Sequence, residues 1–185
     1  LGMGFALLKI SKNPLLRALA VVYINLLRGT PFFLQIYILF FGLPMLNINL
    51  DTNLLGFIVV AINSSAYLSE IFRAGIQSVD DGQMEAGRSL GMTWLQTMRY
   101  IIWPQAFRRM IPPLGNQFII SLKDTSLLMV IGVGELLRTG QEIVAVNFRA
   151  FEVYIAVALI YLAMTMSIAK ALHILELRLH NRTKK

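Results

Sequence analysis

Apolar residues in this chain come in long runs, not in alternation. They fill positions 1–8, about 15–43, about 53–75, about 106–135 and about 151–172, with polar stretches between them. A helix needs about 20 apolar residues to cross the hydrocarbon of a bilayer, and tolerates polar ones where other protein covers them. The pattern predicts an all-α, polytopic membrane protein of about five spans in one domain, residues 1–185. The first apolar run is already under way at Leu1, with no basic segment before it. That predicts a first span cut short and argues against a signal peptide.

One polar island interrupts the pattern near the middle: DDGQMEAGRSLGM, positions 80–92. Asp80 with Gln83 three residues on predicts a capping-box-like helix start, and Gly91 a left-handed stop. Thr93 and Gln96 repeat the capping box at once. Pro104 stands where a helix entering the next span would begin. Two short helices joined at Gly91 are expected over about 78–104. The first would expose Glu85 and Arg88 beside the small residues Ala86 and Gly87, a surface open to close backbone approach. An amphipathic loop resting on the membrane would look the same.

Composition sharpens this picture. The 185 residues are 56% hydrophobic and 15% charged, whereas soluble domains carry roughly 25% charged residues. The net charge of +7 would suit nucleic acid, but its placement does not. Lys9, Lys12 and Arg17 fall in the first connection, and Arg73, Arg88, Arg99, Arg108 and Arg109 in or beside the third. Lys170, Arg178, Arg182, Lys184 and Lys185 close the chain, while the connections at 44–53 and 138–150 hold only Arg138 and Arg149. Positive charge gathers on the cytoplasmic side of membrane proteins, which puts positions 80–92 and the carboxyl terminus in the cytoplasm.

Several chemistries drop out. There is no cysteine, hence no disulfide, thiolate nucleophile or cysteine metal site. His173 and His180 lie two helical turns apart, too far for one metal ion. No GxxxxGK[ST] loop is present to cradle ATP phosphates, and no nucleophile–base arrangement suggests catalysis. What remains is charge inside the spans, costing roughly 2.5–3.5 kcal/mol per group at the bilayer centre and therefore a sign of function. Arg28, Glu70, Lys123 and Asp124 are the candidates. Gln117, Ser121 and Asp124 share one face of the fourth span at i, i+4 and i+7. Asp124 suits an α-ammonium group, Gln117 a side-chain amide, Arg28 an α-carboxylate, and Ser64 and Ser65 add neutral hydrogen bonds. Equally, Arg28 or Lys123 could neutralise Asp124 as a packing pair, and Glu70 could pair with Arg73. A site with one acid favours neutral over cationic cargo, because an extra buried cation would lack a partner. Gln117→Glu should shift the preference towards cations.

The island also carries a longer pattern: Glu85-Ala86-Gly87, three residues, Gly91, nine residues, Ile101, one residue, Trp103-Pro104. It resembles the EAA loop in permease subunits of bacterial binding-protein-dependent ABC importers. Gly87 stands where that loop has a second Ala and Trp103 where it has a Leu, with reduced helix stiffness at Gly87 the expected consequence. Arg28-Gly29-Thr30-Pro31, Asn63-Ser64-Ser65-Ala66-Tyr67, Pro112 to Gln117 and Lys123 to Leu127 resemble the polar amino acid branch. The stretch 115–142 and Asn147-Phe148-Arg149-Ala150 are most similar to glutamine permeases.

The resemblance implies the type I importer (MetI-like) fold, in a multi-pass protein of the bacterial inner membrane. Glu85, Ala86, Gly87, Arg88, Ser89 and Gly91 would form a coupling helix docked on an ATP-binding subunit. That subunit, in two copies, would hold the ATP and magnesium, with no cofactor in this chain. A second permease in a homodimer, an external or periplasmic binding protein and membrane lipid complete the expected partners. Transport would proceed by alternating access, with L-glutamine the expected cargo. Two other classes fit the residues alone: a proton-coupled carrier using Asp124 or Glu70, and a sensor or assembly subunit that transports nothing.

Overall fold

Side chains set most of the helix starts. Asn13 accepts hydrogen bonds from the amides of Leu15 and Leu16 at the start of α2 (Pro14–Gly29), after a short α1 (Gly2–Lys9). Asp51 does the same for Asn53 and Leu54 in α4 (Thr52–Gln77), which follows α3 (Phe32–Met45). Asp80 caps α5 (Asp81–Ser89) and Thr93 caps α6 (Trp94–Thr97). Helix α7 (Trp103–Asp124) follows, then α8 (Leu136–Asn147), capped by Glu135, and α9 (Ala150–Asn181). Each such cap is worth about 1 kcal/mol. The computed structural model describes residues 1–181, all helical or connecting; no strand occurs among them. Arg182, Lys184 and Lys185 of the basic tail lie outside the described residues.

Proline chemistry explains two irregularities. The run at 15–43, expected as one span, is broken: α2 and α3 meet at 106°. Pro31 has no N–H to give the carbonyl of Leu27 four residues back. The side chain of Gln35 supplies that donor instead, at 2.7 Å, while the Thr30 hydroxyl caps the Leu26 carbonyl at 2.8 Å. Further on, Pro104 cannot bond the carbonyl of Tyr100, and its ring crowds that oxygen. The helix widens into a π turn over Met98–Ile102 just before it. Residues 94–124 are thus helical throughout, and the second short helix runs straight into the span.

Two further expectations are corrected. The fourth span ends as α-helix at Asp124 and tightens into a 3₁₀ segment, Thr125–Ile131. The stretch 138–150, expected as a connection, is mostly α8. By length and apolar character α4 and α9 can each cross a membrane, and the bent α2–α3 pair can do so together. Helix α7, at 22 residues, is long enough but not apolar enough for that class.

Helix α4, about 39 Å long at 1.5 Å per residue, is the axis of the fold. At one end Leu55 and Val59 pack with Ile36, Leu128 and Ile131, joined by Phe32 and Phe40. At the other, Ile76 and Val79 pack with Ile102, Ala106 and Met110, and with Met84 of α5. Between these two apolar ends lies a polar middle, Asn63 to Glu70. Helix α9 touches α7 where Gly115 meets Leu172 and α8 where Gly140 meets Val157; it is otherwise largely exposed.

Candidate functional site

The polar middle of α4 distributes its side chains to three neighbours. Asn63 donates to the Oε1 of Gln35 at 2.9 Å, fixing α3 against α4. Ser64 faces α7, with its hydroxyl 3.0 Å from that of Ser121, which in turn accepts from Gln117 Nε2 at 3.3 Å. Ser65 points the other way, to the Tyr23 hydroxyl at 2.7 Å, and Tyr23 stacks on Phe5 at 3.8 Å. The two serines therefore serve different contacts. Among the described residues no buried side-chain nitrogen or oxygen lacks a hydrogen bond, which a polar layer inside an apolar bundle requires.

One turn further, Glu70 gathers cations from three helices. Lys9 of α1 sits 2.5 Å from its Oε1, Arg73 of α4 2.9 Å from its Oε2, and Arg28 of α2 3.9 Å from the same oxygen. The Arg28 guanidinium also lies 5.5 Å above the ring of Tyr67, within cation–π range. The expected Glu70–Arg73 pair is present, as part of a larger cluster. Arg28 lies beside Glu70 and not beside Asp124. Half-buried Asp124 lies at the end of α7, and adjacent Lys123 is exposed.

A cleft of about 440 Å³ opens beside this cluster, lined among others by Arg28, Tyr67, Glu70, Arg73, Arg109 and Gln117. It runs from Gln117, which is 8% exposed, towards the end of the bundle that carries α5. There Arg109 donates to the backbone carbonyl of Ser78. Of the six residues proposed from sequence, the cleft unites Gln117 and Arg28. Ser64 and Ser121 stand behind Gln117, while Ser65 and Asp124 lie off the cleft. Sequence reasoning missed Tyr67, gave Arg73 only its pairing with Glu70 and a topology role, and assigned Arg109 to topology alone. It also missed Gln35, though a Gln four residues after Pro31, with an orphan carbonyl four before, was a readable sign.

At the α5 end the helix pair forms largely as expected. Gly91 adopts φ +82°, a left-handed stop, and the Thr93–Gln96 capping box closes in both directions. The Asp80 box is only half made, since Asp80 caps Gly82 but Gln83 turns to Gln105. Gly87 needs a correction. It is buried, not part of the outer surface, and a Cβ there would stand 2.5 Å from Thr97 Cγ2 and 3.1 Å from Ile101. Close approach at Gly87 is thus made by this chain's own second helix. The outer face comprises Glu85, Ala86, Arg88 and Ser89, continued by Leu90 and Leu95, which are 82% and 68% exposed. A charged face edged by bare leucines suits a protein partner.

Residues 1–181 match the model of a family described as binding-protein-dependent transport system inner membrane component. The chain is 48% identical over 162 residues to the glutamine transport system permease protein GlnP of Escherichia coli (strain K12), covering 86% of this chain and 74% of that protein. It is 44% identical over 175 residues to the L-cystine transport system permease protein TcyB of Bacillus subtilis (strain 168), covering 94% and 75%. Among solved structures, the crystal structure of an amino acid ABC transporter with histidines matches with a TM-score of 0.90 and 45% identity, over 96% of this chain and 83% of that one.

Proposed function

The chain belongs to the family of binding-protein-dependent transport system inner membrane components, and on that premise we propose that it passes L-glutamine through the cleft between α2, α4 and α7. It is the membrane subunit of an ABC amino acid importer, all-helical, with the ATPase in a separate subunit. The cargo is the inferred part, since relatives of similar identity carry glutamine or cystine. One observation supports glutamine: a 440 Å³ cleft puts the Gln117 amide and the Arg28 guanidinium in one space. An amide pairs with an amide through one donor and one acceptor, and a guanidinium with a carboxylate. Ser64 and Ser121 orient Gln117 from behind. Ser65 and Asp124, off the cleft, are assigned packing and a place along the path when the helices rock.

The rest of the machine follows the family logic. The face of Glu85, Ala86, Arg88 and Ser89 docks on an ATP-binding subunit, which holds ATP and magnesium, with Gly87 and Gly91 setting its geometry. Two such subunits, two copies of this chain and an external binding protein make the complex. The α5 end and the carboxyl terminus face the cytoplasm, by the placement of basic residues. Closure of the ATPase pair then moves α5, and through the packing of Met84 on Ile76 and Ile102 the far ends of α4 and α7.

The test is ATP hydrolysis by the whole complex in proteoliposomes, with binding protein and a panel of amino acids. L-Glutamine should stimulate hydrolysis most, and Glu85→Lys should remove the stimulation while leaving the complex assembled. Stimulation by cystine but not glutamine would overturn the cargo, and a Glu85→Lys complex that couples normally would overturn the docking face.

A further inference from the structure

The charges along the cleft do not balance. Three guanidiniums, Arg28, Arg73 and Arg109, and a single carboxylate, Glu70, line it. Glu70 is already well served, since Lys9 holds Oε1 at 2.5 Å and Arg73 holds Oε2 through Nε at 3.1 Å and Nη2 at 2.9 Å. Arg28 reaches that oxygen only at 3.9 Å and otherwise rests over the Tyr67 ring. Arg109 is bonded to the carbonyl and hydroxyl of Ser78, not to an acid. With Lys9 counted, four cations stand around one anion, with Lys9, Arg73 and Glu70 half-buried and Arg28 and Arg109 exposed. Excess charge of one sign along a cleft raises the local concentration of the opposite sign. A mobile anion stabilises such a cluster, and an amino acid brings one as its carboxylate.

We propose that the cleft is a carboxylate-selective passage: Arg28 receives the carboxylate of the cargo, Glu70 and Tyr67 position that arm when the cleft is empty, and Arg73 and Arg109 reject cationic amino acids on the way out. The inference rests on the importer reading and adds a charge rule to it. Neutral and acidic amino acids pass and basic ones do not, whatever the binding protein delivers. Glu70 acts as a resident stand-in for the cargo carboxylate. Arg28 exchanges one carboxylate for another, so capture involves no moment at which it is bare.

The experiment uses the complete permease–ATPase complex in lipid nanodiscs, free of nucleotide and of binding protein. Bound radiolabelled L-glutamine is displaced by L-glutamate, by L-arginine and by the α-amide of glutamine, whose carboxylate is replaced by a neutral amide. L-Glutamate should compete within about threefold of L-glutamine, and the other two about tenfold or more less well. Arg28→Gln should weaken glutamine binding about tenfold. Arg109→Gln should improve competition by L-arginine. Glu70→Gln should lower KM and kcat of glutamine-stimulated hydrolysis together, because Arg28 then holds the cargo too well; a structural role would lower kcat alone. Competition by L-arginine equal to that of L-glutamine, unchanged binding in Arg28→Gln, or no saturable glutamine binding overturns the proposal. The same particles given binding protein and ATP separate the two readings. Glutamine-stimulated hydrolysis with charge-blind competition sinks only the charge rule, and its absence sinks the cargo assignment beneath it.

Discussion

The helix pair at residues 80–104 and the polar middle of α4 are made in opposite ways. In the first, caps and stops act over two to four positions: Asp80 on Gly82, Thr93 on Gln96, Gly91 in its left-handed turn. In the second, partners come from other helices, Lys9 to Glu70 across 61 positions and Ser64 to Ser121 across 57. Local hydrogen bonds form as soon as the backbone turns, whereas distant ones require the bundle to be assembled first. The end proposed to dock on the ATPase is therefore self-shaping, and the cleft exists only in the complete fold. A joint that must survive repeated movement benefits from the first arrangement, and a passage that must change shape from the second.

The contrast breaks most decisively at Gln35. Its side chain holds the Leu27 carbonyl, contacts Thr30 and accepts from Asn63, all in one buried place. Gln35→Leu leaves at least two of these groups unpaired, at about 1–3 kcal/mol each. The expected loss is about 3 kcal/mol or more, with a fall of roughly 10 °C in the thermal midpoint of the detergent-solubilised complex. Gln35→Glu keeps the acceptor for Asn63 but sets an oxygen against the Leu27 carbonyl. Equal damage from both variants assigns the effect to the proline-orphaned carbonyl. No shift in either would mean that the bend at Thr30–Pro31 is held by something else.

The same contrast decides what could be read from the sequence. The helix pair was legible because capping and glycine stops are spaced by the helix itself. The residues of the cleft were half legible: charge inside an apolar run marked Arg28 and Glu70 as exceptional, but spacing along one chain does not say which helix faces which. Asp124 was therefore offered to Arg28, which lies beside Glu70 instead. Arg73 and Arg109 fell beside a span and were taken as topology signals, although they also line the cleft. The break at Pro31 was marked in the sequence by the proline, yet the run of apolar residues through it outweighed that mark. Helix α8 was missed because its outer face, with Gln141 and Glu142, looks like a loop when its partner α9 is not in view.

A smaller effect is expected where the two members of the helix pair touch. Gly87→Ala places a methyl 2.5 Å from Thr97 Cγ2 and 2.8 Å from its Oγ1, an overpacking worth about 1–3 kcal/mol. The first helix should lift from the second, and glutamine-stimulated hydrolysis should fall several-fold with basal hydrolysis retained. Thr97→Ala removes both atoms and should restore much of the coupling in the double variant. If it does not, the loss comes from the outer face, and Gly87 serves the ATPase directly.

The smallest effect tests whether the two regions are independent at all. In the capping box, the Thr93 hydroxyl accepts from the amide of Gln96 at 3.3 Å, and the Gln96 side chain accepts from the amide of Thr93 at 2.8 Å. Thr93→Ala removes one bond of the pair at an exposed position, worth about 1 kcal/mol, and about a fivefold change in local opening follows from that figure. Hydrogen exchange at the amides of residues 93–97 should quicken by about that factor. Glutamine binding in the cleft should not change, since no capping partner reaches Arg28, Glu70 or Gln117. But α6 continues through the π turn into α7, which carries Gln117, and π turns inside helices are frequent at functional sites. Unchanged binding with faster exchange therefore makes the π turn a mechanical fuse between joint and passage. Weakened binding would mean that α6 and α7 move as one rod, and that the passage senses the state of the joint even without nucleotide.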